Sequence, residues 1–220
     1  WAREARYGFL HRVAQACGAA ICVAHAREDQ AETVLLRLAR GAGPGALAAM
    51  APRRPDGVVR PLLEVGREEL RRYARVRSLV SVVDASNDDL HRFRNRVRHD
   101  VLPRLSELLG VDATGRLARL ADELRVESAL AEVGIALVLD ALDDPRRLPI
   151  AALSTEAAGR IVHAWLARLG VRASRVQVES VVAVTRSARP GGRVDLSGGA
   201  RVERRYDEIL RSGEHTSELQ

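Results

Sequence analysis

The 220-residue sequence predicts an α/β protein: a partial parallel sheet with flanking helices, followed by a mainly helical domain with a β-hairpin. Three observations predict it. Short apolar runs alternate with helix-period segments through roughly the first 90 residues, the order that builds a parallel sheet with helices on its faces. Beyond them, leucine and alanine recur at helical spacing. Near the end, "RVDLSGGARVERRYDEIL" alternates about a Ser-Gly-Gly turn, a hairpin pattern.

Taken in order, residues 2–16 place Ala2, Ala5, Phe9, Leu10, Val13 and Ala14 on one helical stripe, with Arg3, Arg6 and Arg12 distributed around it and Gly18 ending the helix. "AAICVAH" (19–25) reads as a short buried strand, "DQAETVLLRLARG" (29–41) as a helix stopped by Gly41, and "GVVRPLLEV" (57–65) as a second strand. "REELRRYARVRS" (67–78) gives another helix and "LVSVVDAS" (79–86) a third strand. "LHRFRNRVRHDVLPRLSELLG" (90–110) is a basic helical stretch in which Pro103 marks a kink or a fresh first turn. Breaks at "DDPRRLP" and "LGVRAS" are connections inside a helical domain, and "RVQVESVVAVTRSARPGG" is one more helix, ending by Pro190. These bounds divide the chain into domains at 1–105 and 106–210. Residues 211–220, "RSGEHTSELQ", break from the preceding composition and are expected to be a non-native tail.

Hydrophobic content of 46% with 29% charged residues suits a soluble globular protein. No window approaches the roughly 18 continuous apolar residues of a membrane span, and the start "WAREARYGFL" has no signal-peptide pattern, so a cytoplasmic protein without membrane partners is expected. The net charge is +6, and all 35 basic residues are arginine. Arginine forks suit phosphate, and such a balance favours a polyanionic partner; a GC-rich coding sequence explains the same composition equally well. Cys17 and Cys22 have no CxxC partner or Cys/His cluster and are expected to be small core residues. Seven aromatics (two Trp, three Tyr, two Phe) are too few for a base-stacking platform.

In "AHAREDQAETVLLRLARGAG" (24–43) an apolar strand hands over to an acidic helix start. His25 falls at the carboxyl end of the strand, where open α/β sheets bind ligands, and Asp29 follows in the first helical turn. The same acidic residues would also cap free amides and complement the helix dipole, so position alone leaves both roles open. Arg94 and Arg98 lie four apart on one helical face with Arg96 and His99 nearby, a basic face suited to phosphates. Asp84, Ser86 and Asn87 could equally form an Asx-type turn that starts the next helix.

The segment "HAREDQAETVLLRLARGAGPGALAAM" resembles the His-x-x-x-Asp-Gln-x-Glu-Thr block and following glycine turn of the tRNA(Ile)-lysidine synthetases. "AREARYGFL" before it, "VVRPLLEVGREELRRYA" after it, and then "DASNDDLHRFRNRVRHDVLPRL" resemble further family blocks in family order, so the resemblance covers residues 2–105. It implies a PP-loop ATP pyrophosphatase, Rossmann-like in fold. The implied reaction is adenylation by ATP, with Mg2+, of the C2 oxygen of the wobble cytidine of tRNA(Ile). The amine of free L-lysine then displaces AMP.

Carried over position by position, the resemblance implies a catalytic set of Asp29, His25 and Arg6. Asp29 would hold the lysine amine or accept its proton, His25 would position it or the adenylate, and Arg6 would stabilise charge on the leaving AMP. Arg94, Arg96 and Arg98 would bind tRNA, and Glu32, Asp84 and Asn87 would bind substrate. Gln30 and Thr33 match as well, with packing or capping roles equally compatible. Dimerisation is a family-level expectation. Ala26, Arg27 and Glu28 depart mildly from the pattern. The Ser-Gly-Gly-x-Asp-Ser loop that grips pyrophosphate in the family is absent from the sequence, so an N-terminally truncated synthetase of doubtful activity is expected. Two other readings stay open: another PP-loop tRNA-modifying enzyme such as a thiolase, or a non-catalytic RNA-binding module.

Overall fold

Helix α1 (Ala2–Cys17) ends at Gly18, whose φ of +61° reverses the chain into β1 (Ile21–Cys22). That left-handed turn is where a glycine is required. The computed structural model describes residues 2–80, 82, 89–153, 157–187 and 191–212. After β1 come α2 (Arg27–Leu38), the short α3 (Pro44–Leu47), β2 (Val58–Val59) and α4 (Arg67–Val76). The basic stretch follows as α5 (Phe93–Arg96), a π-helical turn (Val97–Val101) and α6 (Leu102–Leu109), and then α7 (Ala113–Asp140). The rest comprises β3 (Arg147–Pro149), a 3-10 turn (Ile150–Ala152), α8 (Ala158–Arg168), α9 (Arg175–Arg186), β4 (Arg193–Asp195), β5 (Arg201–Arg205) and β6 (Glu208–Ser212). The chain forms two compact units, 1–129 and 130–220, dividing inside α7.

In the first unit β1 and β2 pair in parallel, Ile21 opposite Val58 and Cys22 opposite Val59, as an α/β reading requires. The strands are two residues long, where the apolar runs suggested seven and nine. Tyr7, Ile21 and Val58 form the buried cluster, with Leu10, Ala14 and Val23 against it. The buried stripe of α1 is therefore Tyr7, Leu10 and Ala14, and Phe9 and Val13 of the expected stripe face solvent. Cys17 and Cys22 are exposed, which corrects their expected place in the core: Ile21 takes the buried position and alternation turns Cys22 outward. Leu79, Val80 and Val82 of the expected third strand are exposed and outside any strand, and its other residues lie outside the described ones.

Pro103 has the effect its chemistry predicts. It offers no N–H to the carbonyl four residues back, and its ring crowds that carbonyl. The turn before it widens, so that Leu102 N–H bonds the Val97 carbonyl five residues earlier. Beside α2, the loop after α3 is pinned by side chains. The Gln30 amide makes two 2.9 Å bonds to the Met50 backbone, Arg37 donates to the Ala46 and Ala49 carbonyls, and Arg125 donates to Met50.

The second unit packs α8, α9 and a four-stranded antiparallel sheet, order β3-β6-β5-β4, around Trp165, Leu166, Val162, Val181, Leu148, Val202 and Ile209. The expected hairpin is present as β4 and β5, with β6 continuing it. β3 was not visible in "DDPRRLP": it is three residues long, and its Pro149 is tolerated because the strand lies at the sheet edge. Ser174 and Gln177 cap α9 reciprocally, Gln177 N–H donating to Ser174 Oγ and Ser174 N–H to Gln177 Oε1. At the other end of α9, Arg204 donates to the Val184 and Ser187 carbonyls. No described helix is long and apolar enough to cross a membrane.

Candidate active site

The site grows from the N-terminus of α2. Asp29 Oδ2 accepts from Ala26 N–H at 2.8 Å, satisfying one of the free amides of the first turn. Its other oxygen, Oδ1, accepts from Arg67 Nη2 at 2.6 Å and Arg94 Nη2 at 2.9 Å. One turn on, Glu32 is fully buried. Its Oε1 accepts from Arg98 Nε at 2.7 Å and Arg67 Nη1 at 3.2 Å, and its Oε2 from Arg94 Nε at 2.6 Å and Arg98 Nη2 at 3.2 Å. Helical spacing puts both carboxylates on one face, and three guanidiniums from two other segments close over them. The hydrogen bond to Glu32, ahead of the charges of Glu32, Asp29 and Glu28, holds the Arg98 guanidinium above the ordinary arginine range, so it stays charged.

Neighbouring contacts set this geometry. Both Glu28 oxygens accept the Arg67 backbone N–H, at 2.9 and 3.0 Å, and Glu69 accepts from Gly66 N–H at 2.8 Å, so two free amides of α4 are met by carboxylates. Arg27 crosses to the Glu64 carbonyl and to Glu69. The N-termini of α2 and α4 are thereby docked through Arg27 and Glu28, two of the three positions that depart from the family pattern. A polar cleft of ≈ 440 Å³ opens beside α2, lined by Arg27, Gln30, Glu64, Asp112, Arg119 and Asp122 among others.

Of the residues singled out from sequence, Asp29, Glu32, Arg94 and Arg98 meet in one network. His25 stands at the carboxyl end of β1, where Nδ1 accepts from the buried Arg60, which itself lies just past β2. Arg6 is exposed on α1, its guanidinium 5.7 Å from the Tyr7 ring centroid, and Arg54 lies over the same ring at 5.2 Å. Arg96 is exposed and lies over Phe93 at 5.3 Å. Asp84 and Asn87, with Ser86, lie outside the described residues. Gln30 and Thr33 serve packing, Gln30 through Met50 and Thr33 through a 2.7 Å bond to the Asp29 carbonyl.

Sequence reasoning missed Arg67 and Arg60. A cation opening a helix opposes the helix dipole, and that oddity in "GREEL" points to nearby carboxylates. An arginine directly after an apolar run, as in "VVRPL", sits where parallel strands present their carboxyl ends. Among the described residues no group of three or more His, Cys, Asp or Glu could hold a metal ion.

Residues 1–105 match the PP-loop domain and residues 146–210 the TilS substrate binding domain. The chain is 41% identical over 215 residues to the tRNA(Ile)-lysidine synthase of Salinispora tropica, covering 93% of this chain and 65% of that protein. It is 38% identical over 220 residues to that of Geobacter sulfurreducens, covering 94% and 46%. It is 36% identical over 227 residues to that of Thermobifida fusca, covering 97% and 68%. The chain thus spans somewhat less than two thirds of the Salinispora relative and under half of the Geobacter one.

Proposed function

Starting from the tRNA(Ile)-lysidine synthase family, to which this chain belongs, we propose that it is part of a cytoplasmic ATP-dependent ligase that forms lysidine at the wobble cytidine of tRNA(Ile). ATP adenylates the cytidine C2 oxygen and pyrophosphate leaves. The amine of free lysine then attacks C2, loses a proton, and expels AMP. In the domain division that goes with this reading, residues 1–105 carry the chemistry and 106–210 help hold the tRNA.

The observation that carries the reading is the Asp29 carboxylate, nearly buried beside Glu32 in the helix that follows β1. An incoming ammonium needs a low-dielectric carboxylate with an exchangeable partner, and Arg94, 43% exposed, is the partner best able to yield its place on Oδ1. Asp29 then holds the amine and takes its proton, and His25 orients the amine or the adenylate. Arg6 answers charge on the departing AMP. Arg94, Arg96 and Arg98 contact tRNA phosphate, and substrate binding is assigned to Glu32, Asp84 and Asn87. Mg2+ would accompany the ATP phosphates. Among the described residues no group of three or more His, Cys, Asp or Glu is placed to hold it.

Incorporation of labelled lysine into a tRNA(Ile) transcript, with ATP and magnesium, tests the reading. Asp29→Asn should abolish incorporation while transcript binding persists. A protein that binds ATP and transcript yet leaves lysine unincorporated overturns lysidine synthesis in favour of another PP-loop tRNA-modifying enzyme such as a thiolase. One whose transcript binding ignores ATP and lysine altogether is an RNA-binding module.

A further inference from the structure

The guanidiniums of Arg67, Arg94 and Arg98 are shared between the carboxylates of Asp29 and Glu32. Arg94 and Arg98 each engage the carboxylates through Nε and Nη2, and neither Nη1 makes a hydrogen bond among the described residues. They stand four residues apart, one in α5 and one in the π turn, each clamped along one edge with the other edge unused. A guanidinium fixed along one edge has already lost most of its rotamer freedom, so an incoming oxyanion meets it preorganised.

We propose that Glu32 is a positioning residue that aims Arg94 and Arg98, as a two-pronged fork, at the oxygens of a phosphate group. The proposal rests on the phosphate-bearing substrates of the reading above and gives Glu32 a further role there, that of holding Arg94 and Arg98. Phosphate is favoured over a second carboxylate by the match of two guanidinium edges to a tetrahedral oxyanion. The phosphate belongs either to the RNA backbone or to a nucleotide. Arg67 supplies the third guanidinium that meets the buried Glu32 carboxylate.

The test is a titration of 15N-labelled protein with inorganic pyrophosphate, following the side-chain Nε–H resonances of Arg94 and Arg98. Both should move in the unmodified protein. In Glu32→Gln they should cease to move together, with pyrophosphate bound about tenfold more weakly. A purely structural Glu32 would lower the melting temperature and leave the response of the folded fraction unchanged, which overturns the proposal. Because Glu32→Gln could fail to fold, Arg94→Gln and Arg98→Gln are measured alongside; pyrophosphate binding unaltered in both also overturns it.

The source of the phosphate is separated by salt. If it is RNA, each arginine variant should flatten the slope of log affinity for the transcript against log salt by about 0.7–0.9. If it is a nucleotide, the slope holds and ATP or AMP binding weakens instead. Failure of lysine incorporation with the fork intact counts against lysidine synthesis and leaves the fork standing. Wild-type incorporation and wild-type KM values in the double arginine variant do the reverse.

Discussion

A carboxylate with no access to water is expensive unless it is paired on every lone pair, and Glu32 meets that condition with four hydrogen bonds from three arginines. Removing it strands three guanidiniums, so Glu32→Ala should lower unfolding free energy by about 3–5 kcal/mol in a denaturant titration. Arg94→Gln removes one of the cations on Glu32 Oε2 and one of those on Asp29 Oδ1, so it should also destabilise in the same titration, though by less than Glu32→Ala. Because Glu32 raises the Arg98 pKa, the stability contributed by that shift is complete below the ordinary arginine range and falls away in strong alkali, so titration of Arg98 should not modulate it at physiological pH. Much of this was legible: Asp29, Glu32, Arg94 and Arg98 stand out in sequence as charges at a helix start and on a helix face. That they meet one another was not, because positions 62 and 66 residues apart are joined only by the fold. Arg67 stayed hidden for the same reason: its place at a helix start hints at nearby carboxylates, but only the fold brings Asp29 and Glu32 to it.

At the scale of elements, the clearest sequence rules are the local ones. Gly18 and Gly41 end helices in the left-handed conformation, and the reciprocal Ser174–Gln177 cap starts α9. Ser174→Ala should therefore cost about 1 kcal/mol, read from thermal unfolding of the intact chain. Strand extents were overestimated because an apolar run need be neither buried nor paired: Ala19, Ala20, Cys22 and Ala24 around β1 are exposed, and between Arg60 and Val65 only Arg60 and Leu63 are buried. In the second sheet the register puts Glu203 opposite Arg193, and the hydrogen bond from Arg193, together with the nearby charges of Arg193 and Arg205, holds the Glu203 carboxyl below the ordinary glutamate range. A depressed carboxyl adds stability that is complete above the ordinary range and lost as pH falls through the lowered value. Glu203→Gln should accordingly flatten the acid limb of the melting-temperature profile, by an amount that added salt reduces.

At the scale of the molecule, a net charge of +6 carried wholly by arginine says that a polyanion is attracted, and the structure says which of its surfaces is still uncommitted. The outer face of the second unit's sheet neutralises itself: Arg147 pairs with Glu208, Arg193 and Arg205 with Glu203, and Arg201 with Asp195. In the first unit, the stretch around the π turn exposes Arg96 and Arg104, neither of which forms an ion pair among the described residues. A phosphate backbone gains most where no internal carboxylate must first be displaced, so transcript binding should depend on the second group and ignore the first. Arg96→Gln and Arg104→Gln are each expected to reduce the salt slope of transcript affinity by about 0.7–0.9, whereas Arg193→Gln and Arg201→Gln should leave it unchanged. Fluorescence titrations over a range of salt concentrations decide it. A slope that responds to the sheet arginines and not to Arg96 or Arg104 would place the RNA on the second unit's sheet, and the paired carboxylates there would then be the groups that RNA displaces.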